Sequence, residues 1–222
     1  MIKSLYATLY LPPWLRLTGA KIGKRAEIST VNYISTDLLK IGHESFLADS
    51  VNVGPPVVIN GWLFKTILIG RYKPDSKPLW STFVWRNEFI NSISENLVYP
   101  FFESMFLGTP FAPIYFRIMG CKIGKKVFME TTEITEFDLV TIGDDSALNF
   151  GCTIQTHLFE DRVMKMSDVN IGKACTIGSL SVILYDTKMN DHSLLQGLSL
   201  IMKGETLPKN THWQGSPCQL QN

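Results

Sequence analysis

Apolar residues recur at every sixth position toward the end of this chain, and that period decides what it can fold into. From Ile171 the series runs through Ile177, Ile183, Met189, Leu195, Ile201 and Leu207 to Trp213 without a polar interruption. Two residues before each stand Val169, Cys175, Ser181, Thr187, Ser193, Ser199, Glu205 and Thr211, most of them small. An amphipathic helix repeats at about 3.6 residues and a half-buried strand at about two, so a period of six matches neither. It is the period of a parallel β-helix, whose coil is a triangle of three short strands. Each apolar residue then points into the prism, and the small residue ahead of it packs near a tight corner. Neighbouring coils satisfy one another's backbone hydrogen bonds, so stability comes from stacking.

The same period marks two shorter stretches. Ile22, Ile28 and Ile34 are followed by Ile41, Leu47, Val53 and Ile59; later, Ile123, Met129 and Thr135 are followed by Ile142, Leu148 and Ile154. Both series slip by one residue at the matching place, between Ile34 and Ile41 and between Thr135 and Ile142. A gapless shift of 101 residues superposes them, with 13 of the 40 positions in 15–54 identical. Lys21, Ile22, Gly23 and Lys24 fall on Lys122, Ile123, Gly124 and Lys125; Asp37, Leu38, Ile41, Gly42, Ser45 and Leu47 also meet identical residues. The sequence therefore reads as a tandem duplication. A degenerate first module covers 1–73, a connector 74–113, and a second module 114–222. In the connector, Trp80, Phe83, Val84, Ile90, Ile93, Leu97 and Val98 recur at spacings of three and four, as on an amphipathic helix. Pro100 should kink or end it. One reading packs this helix across the prism; the other turns its aromatics to a membrane surface or a neighbouring domain.

Charge and composition exclude several functions. A formal net charge of +1, with no long run of one sign, lacks the basic footprint of a nucleic-acid binder. The stretch nearest to a membrane span, 97–120, is interrupted by Glu103, Arg117 and three prolines. Pro12, Pro13 and Arg16 break the apolar run that a signal peptide needs. Cys121, Cys152, Cys175 and Cys218 show no metal-ligand pairing and read as reduced core residues of a cytosolic protein. Among His43, His157, His192 and His212 no pair is closely spaced, so no metal site is expected.

His157 is the histidine placed for chemistry, because the hexads break there into a loop carrying Glu160, Asp161 and Arg162. An imidazole poised near neutral pH suits a general base that takes the proton of an attacking hydroxyl or amine. Glu160 or Asp161 would orient the ring and stabilise its charged form. Arg162 or Lys165 would hold a phosphate or an acceptor carboxylate, and the amides Asn149 and Gln155 join them as substrate-binding candidates. The plainer alternative is a solvated loop with an exposed turn histidine. His43 aligns with Asp144 in a corner, and His192 and His212 sit at outward positions, so all three read as surface residues.

The hexads, closing on residues 212–218 (HWQGSPC), resemble the hexapeptide-repeat acyltransferases. Their sugar O-acetyltransferases end on a similar Gly-x-Pro-Cys turn and set a catalytic histidine before an irregular loop and a Val/Ile-x-Ile-Gly repeat. Here the order is His157, the loop 158–168, then Val169, Asn170, Ile171 and Gly172. Over nearly its whole length the chain also resembles the C-terminal region of poly-lysine-synthetase-like nonribosomal peptide synthetases. That likeness is carried by 136–143 (EFDLVTIG), 155–162 (QTHLFEDR) and 198–205 (LSLIMKGE). The resemblance implies an all-β, left-handed parallel β-helix that transfers an acyl or aminoacyl group to a hydroxyl or amine. Its donor would be a pantetheine thioester, acyl-CoA or a phosphopantetheinyl carrier protein, with no bound cofactor. It further implies that the chain is the C-terminal part of a larger synthetase at the cytoplasmic face of the membrane, with Met1 an internal cut. Its partners would then be the other synthetase domains, in a homo-oligomer or an intrachain pseudo-oligomer. A non-catalytic domain that organises such a synthetase is the alternative. In the aligned copies Pro56 falls on His157 and Ile59 on Glu160, so only the second module is equipped with the base.

Overall fold

The structure, a computed structural model, describes residues 11–17, 19–28, 31–32, 39–44, 46–47, 51–52 and 57–221. The chain divides into two compact units, Met1–Val57 and Val58–Asn222.

In the larger unit short parallel strands stack on three faces. The first face holds Lys122–Ile123, Val140–Ile142, Val169–Ile171, Thr187–Met189 and Thr206–Leu207. The second holds Phe128–Met129, Ala147–Leu148, Thr176–Ile177, Leu194–Leu195 and His212–Gln214, closed by the antiparallel strand Gln219–Gln221. The third holds Thr153–Gln155, Val182–Leu184 and Leu200–Ile201, with Ile134 bridged to Ile154. Val169 pairs with Thr187 and Lys188 with Thr206, so one full coil takes 18 residues, or three hexads.

Side chains follow the period. Ile171, Ile177, Ile183, Met189, Leu195, Ile201 and Leu207 are all buried. Trp213, expected to be buried with them, is only half-buried, because the antiparallel strand rather than another coil lies below it. The small residues ahead of them do more than avoid a clash. Ser181 Oγ donates to the Gln196 carbonyl, Ser193 Oγ to that of Pro208, and Thr187 Oγ1 to that of Met202. Each buried hydroxyl thus finds its own acceptor on a corner carbonyl of the next coil. Stacking is close enough to dictate glycine: a Cβ at Gly143 would lie 2.6 Å from the Gly172 carbonyl carbon. Asp145, Ala174, His192 and Asn210 take left-handed backbone at successive turns of one corner.

Helices precede the coil. They are α1 (Leu11–Leu17) in the smaller unit, then α2 (Val57–Leu68), α3 (Thr82–Ile93), α4 (Tyr99–Phe106) and α5 (Phe111–Met119). Between α3 and α4 the chain widens into a π-helical turn, Ser94–Val98, ahead of Pro100, whose missing N–H cannot continue an α-helical ladder. Ile59, counted in the hexad series, lies within α2 and not on a β-face. Ile34, Asp37, Leu38, Ser45, Val53 and Pro56 lie outside the described residues. Among the described residues no helix is long and apolar enough to cross a membrane.

In the smaller unit Lys21–Ile22 pairs in parallel with Lys40–Ile41, Glu27–Ile28 with Phe46–Leu47, and Val31–Asn32 with Val51–Asn52. Local contacts recur at the 101-residue spacing. Arg16 clamps the carbonyls of Ile22 and Gly23, and Arg117 those of Ile123 and Gly124. His43 Nδ1 accepts the Lys24 backbone N–H as Asp144 Oδ1 accepts that of Lys125. His43 is therefore a corner residue in its own unit.

Candidate functional site

The coil is interrupted once by a long excursion. Val140 pairs with Val169, a pitch of 29 residues where 18 is the rule, and the additional eleven form an arm. Its strands, His157–Glu160 and Val163–Met166, make an antiparallel hairpin. Asp161 and Arg162, with φ of 50° and 64°, supply the two left-handed residues that such a tight turn requires. The connector adds a third strand, Asp75–Pro78, at the free edge. Tyr72 just ahead of the connector, Val84 within it, Met164 and Met166 from the arm, and Leu139 from the coil share one apolar core.

His157 stands at the root of the arm and is only 7% exposed. Its Nδ1 lies 2.8 Å from Oε2 of Glu136, a carboxylate 1% exposed. Thr156 Oγ1 donates to the same oxygen at 2.6 Å, and Asn87 Nδ2 to Oε1 at 3.1 Å. Asn87 in turn accepts a hydrogen bond from the Tyr72 hydroxyl at 2.8 Å. Burial alone would push the Glu136 carboxyl up, but the His157 and Thr156 hydrogen bonds and the charge of His157 hold it below its ordinary value. Burial likewise pulls the His157 imidazole down, yet the bond to Glu136 and its charge outweigh this and leave it raised. An ionised carboxylate only accepts, so Nδ1 carries the proton and Nε2 keeps its lone pair. The arrangement is that of a base oriented by an acid.

Glu136 was not among the residues singled out from sequence, although a signal for it exists. It lies where the repeat slips between Thr135 and Ile142: Thr141 pairs with Lys122, 19 residues apart, and Ile134 instead of the counted Thr135 takes the inward position opposite Ile154. Glu136 adopts φ 36° and ψ 66° before the single turn Phe137–Leu139, which turns its side chain inward. Asn87 had a signal too, as a polar residue on the buried stripe of α3 between Val84 and Ile90.

The other expected site residues do not converge on His157. The carboxylate at the ring is Glu136, where Glu160 or Asp161 was expected. Along a strand side chains alternate, so Glu160 points to the opposite side from His157. There it pairs with Lys203 and with Lys165 at 2.9 Å, and these bonds hold its carboxyl down to about 2. Lys165 is thereby engaged, and Asp161 and Arg162 form the exposed turn. Asn149 Nδ2 donates to the Ile177 carbonyl, bracing the coil as Asn190 does at Leu207. Gln155 lies partly exposed at the end of its strand, next to Thr156. His192 and His212 are exposed. All four cysteines are free and buried, and no cluster suited to a metal ion occurs among the described residues.

These features define a class: a parallel β-helix of hexapeptide repeats, interrupted by an arm whose root carries a buried histidine–carboxylate pair. No family model matches the chain. It is similar to the Delta-poly-L-ornithine synthetase of Acinetobacter baumannii (strain AB307-0294), 28% identical over an alignment of 357 residues. That alignment takes in 97% of this chain and 27% of the synthetase, so the chain spans about a quarter of that relative's length. Among solved structures it is similar to a maltose O-acetyltransferase from Clostridium difficile 630, at 14% identity over 71% of this chain and 95% of that one, TM-score 0.47. A galactoside acetyltransferase in complex with coenzyme A gives 17% identity over 55% and 75%, TM-score 0.45. A hexapeptide-repeat-containing acetyltransferase from Vibrio cholerae gives 18% over 47% and 62%, TM-score 0.43. The resemblance read in the sequence to poly-lysine-synthetase-like synthetases is met by the poly-ornithine synthetase.

Proposed function

We propose that this chain is an acyltransferase domain with His157 as its general base. The observation that carries the reading is the buried His157–Glu136 pair, which leaves Nε2 as the one basic nitrogen of an oriented ring. Nε2 takes the proton of an acceptor hydroxyl or amine as its oxygen or nitrogen attacks the thioester carbonyl. The tetrahedral intermediate collapses with cleavage of the carbon–sulfur bond, and the imidazolium returns the proton to the departing thiolate. Glu136 orients the ring and stabilises its charged form throughout. The donor is a pantetheine thioester, borne by coenzyme A or by a carrier protein.

The left hand of the coil belongs to the same reading, and so do the tandem origin of the modules 1–73 and 114–222 and their separation by the connector 74–113; the matching Arg16 and Arg117 clamps support the duplication. So does a place within a larger synthetase, supported by the partial coverage of the ornithine-polymer synthetase. Ornithine is accordingly among the amines to assay, beside hydroxyl acceptors. Acetyl-CoA and aminoacyl thioesters incubated with the 222-residue chain test the proposal. Transfer is expected from the wild type, with His157→Ala lowering it about 100-fold or more and His43→Ala or His192→Ala changing it little. Full activity in His157→Ala would sink the assignment. No transfer from any donor would favour a domain that organises the synthetase without chemistry of its own.

A further inference from the structure

The hydrogen bonds at Glu136 continue into the connector, and they all run one way. Tyr72 gives its proton to Asn87 Oδ1, Asn87 gives an N–H to Glu136 Oε1, and Glu136 receives from Thr156 and His157 on Oε2. Asn87 is fully buried in the middle of α3, and Tyr72 is 4% exposed. An asparagine there is poorly placed for helix propensity and costly to bury without partners, so its retention needs a reason other than packing. Its amide has only one workable orientation. Flipped, its oxygen would face the Glu136 carboxylate and its NH2 would meet the hydroxyl, leaving two acceptors in contact.

We propose that Asn87, anchored by Tyr72, is a positioning residue of the His157 centre: it fixes Glu136 as an acceptor and thereby holds the imidazole with Nδ1 protonated and Nε2 free. This deepens, and rests on, the reading of His157 as the base. The connector is then part of the centre, since both its strand Asp75–Pro78 and its α3 converge on the arm root. Burial keeps the Tyr72 phenol protonated far beyond neutral pH, so the chain of donors cannot reverse. The charged groups felt there are Glu136, Glu88 on α3 and, for Tyr72, the ion pair of Asp138 at the coil with Lys65 on α2, whose Nζ lies 5.6 Å from the phenol ring centroid.

The test reads the ring rather than the reaction. In the full chain labelled with nitrogen-15, long-range proton–nitrogen spectra report the tautomer and titration of His157. Wild type should show Nε2 as the unprotonated nitrogen above its titration midpoint. The near-isosteric Asn87→Leu should mix the two tautomers and lower the midpoint by about one pH unit, the scale of losing one charge-assisted hydrogen bond. Tyr72→Phe, which removes a single hydroxyl, should move both in the same direction by less, and it carries the test should Asn87→Leu fail to fold. Ring signals identical to wild type in either folded variant overturn the proposal. A wild-type ring as described in a chain that transfers no acyl group would instead remove the acyltransferase reading and leave the positioning role standing.

Discussion

Protonation couples His157 and Glu136 to folding as well as to chemistry. The fold raises His157 above its ordinary 6.5, so the stability it contributes is full below 6.5 and is lost as pH climbs through the raised value. The fold lowers Glu136 below 4.5, so its contribution is full above 4.5 and is lost as pH falls through the lowered value. Both are complete only between those two ordinary values. Thermal melts across pH should therefore show an alkaline decline that His157→Ala flattens, and a decline untouched by that substitution would refute the coupling. On the proposal that His157 is the base, transfer needs the opposite, neutral form of the ring and should rise with pH through a midpoint above 6.5. Of this centre His157 was read from residue order, because a break in the repeat announces itself locally. The slip at Glu136 and the polar residue on the stripe of α3 mark two further positions, but residue order does not pair them with the ring, which meets a carboxylate 21 residues upstream, while the carboxylate three residues downstream points away.

Each strand of the coil contributes two or three residues, too few to stand alone, and it persists because the strands above and below complete its hydrogen bonds. Damage to one coil should therefore spread. Ile177 is fully buried between Leu148 and Leu195 of the second face, and Ile177→Asp would place a carboxylate in a dry prism. We expect a loss of about 4 kcal/mol or more, read as a collapse of the denaturation midpoint. A midpoint within about 0.5 kcal/mol of wild type would show that water reaches the prism. The coil was legible because its period is a property of neighbouring residues. The arm's third strand was not, because Asp75–Pro78 finds Val163–Met166 some 90 residues on, and no periodic signal links them. Helix α2 escaped notice too: Ile59 happens to continue the count of six from Val53, and counting cannot tell that the strands have ended.

For the molecule as a whole, the helices leave much apolar surface uncovered. Trp62, Leu63, Phe64 and Ile67 on α2 and Trp85 and Phe89 on α3 are each at least 40% exposed. Scattered apolar residues are ordinary, but runs of aromatics on successive helices are not. If a membrane surface is their partner, the chain should float with anionic vesicles at low salt, and absence of binding there would remove the lipid reading. Unequal endowment of the two units is plainer. On the 101-residue alignment Pro56 stands for His157 and Ser35 for Glu136, so base and carboxylate are both absent from the first unit, whereas the slip that houses Glu136 is present in both. In a lattice of hexads that slip is a dislocation: a place where the repeat's alternation of inward and outward positions is suspended. Given the duplication proposed above, the defect is older than the divergence of the copies. Substitution could then explore polar side chains at it without disturbing any coil, and in the second copy it holds a carboxylate aimed at an imidazole.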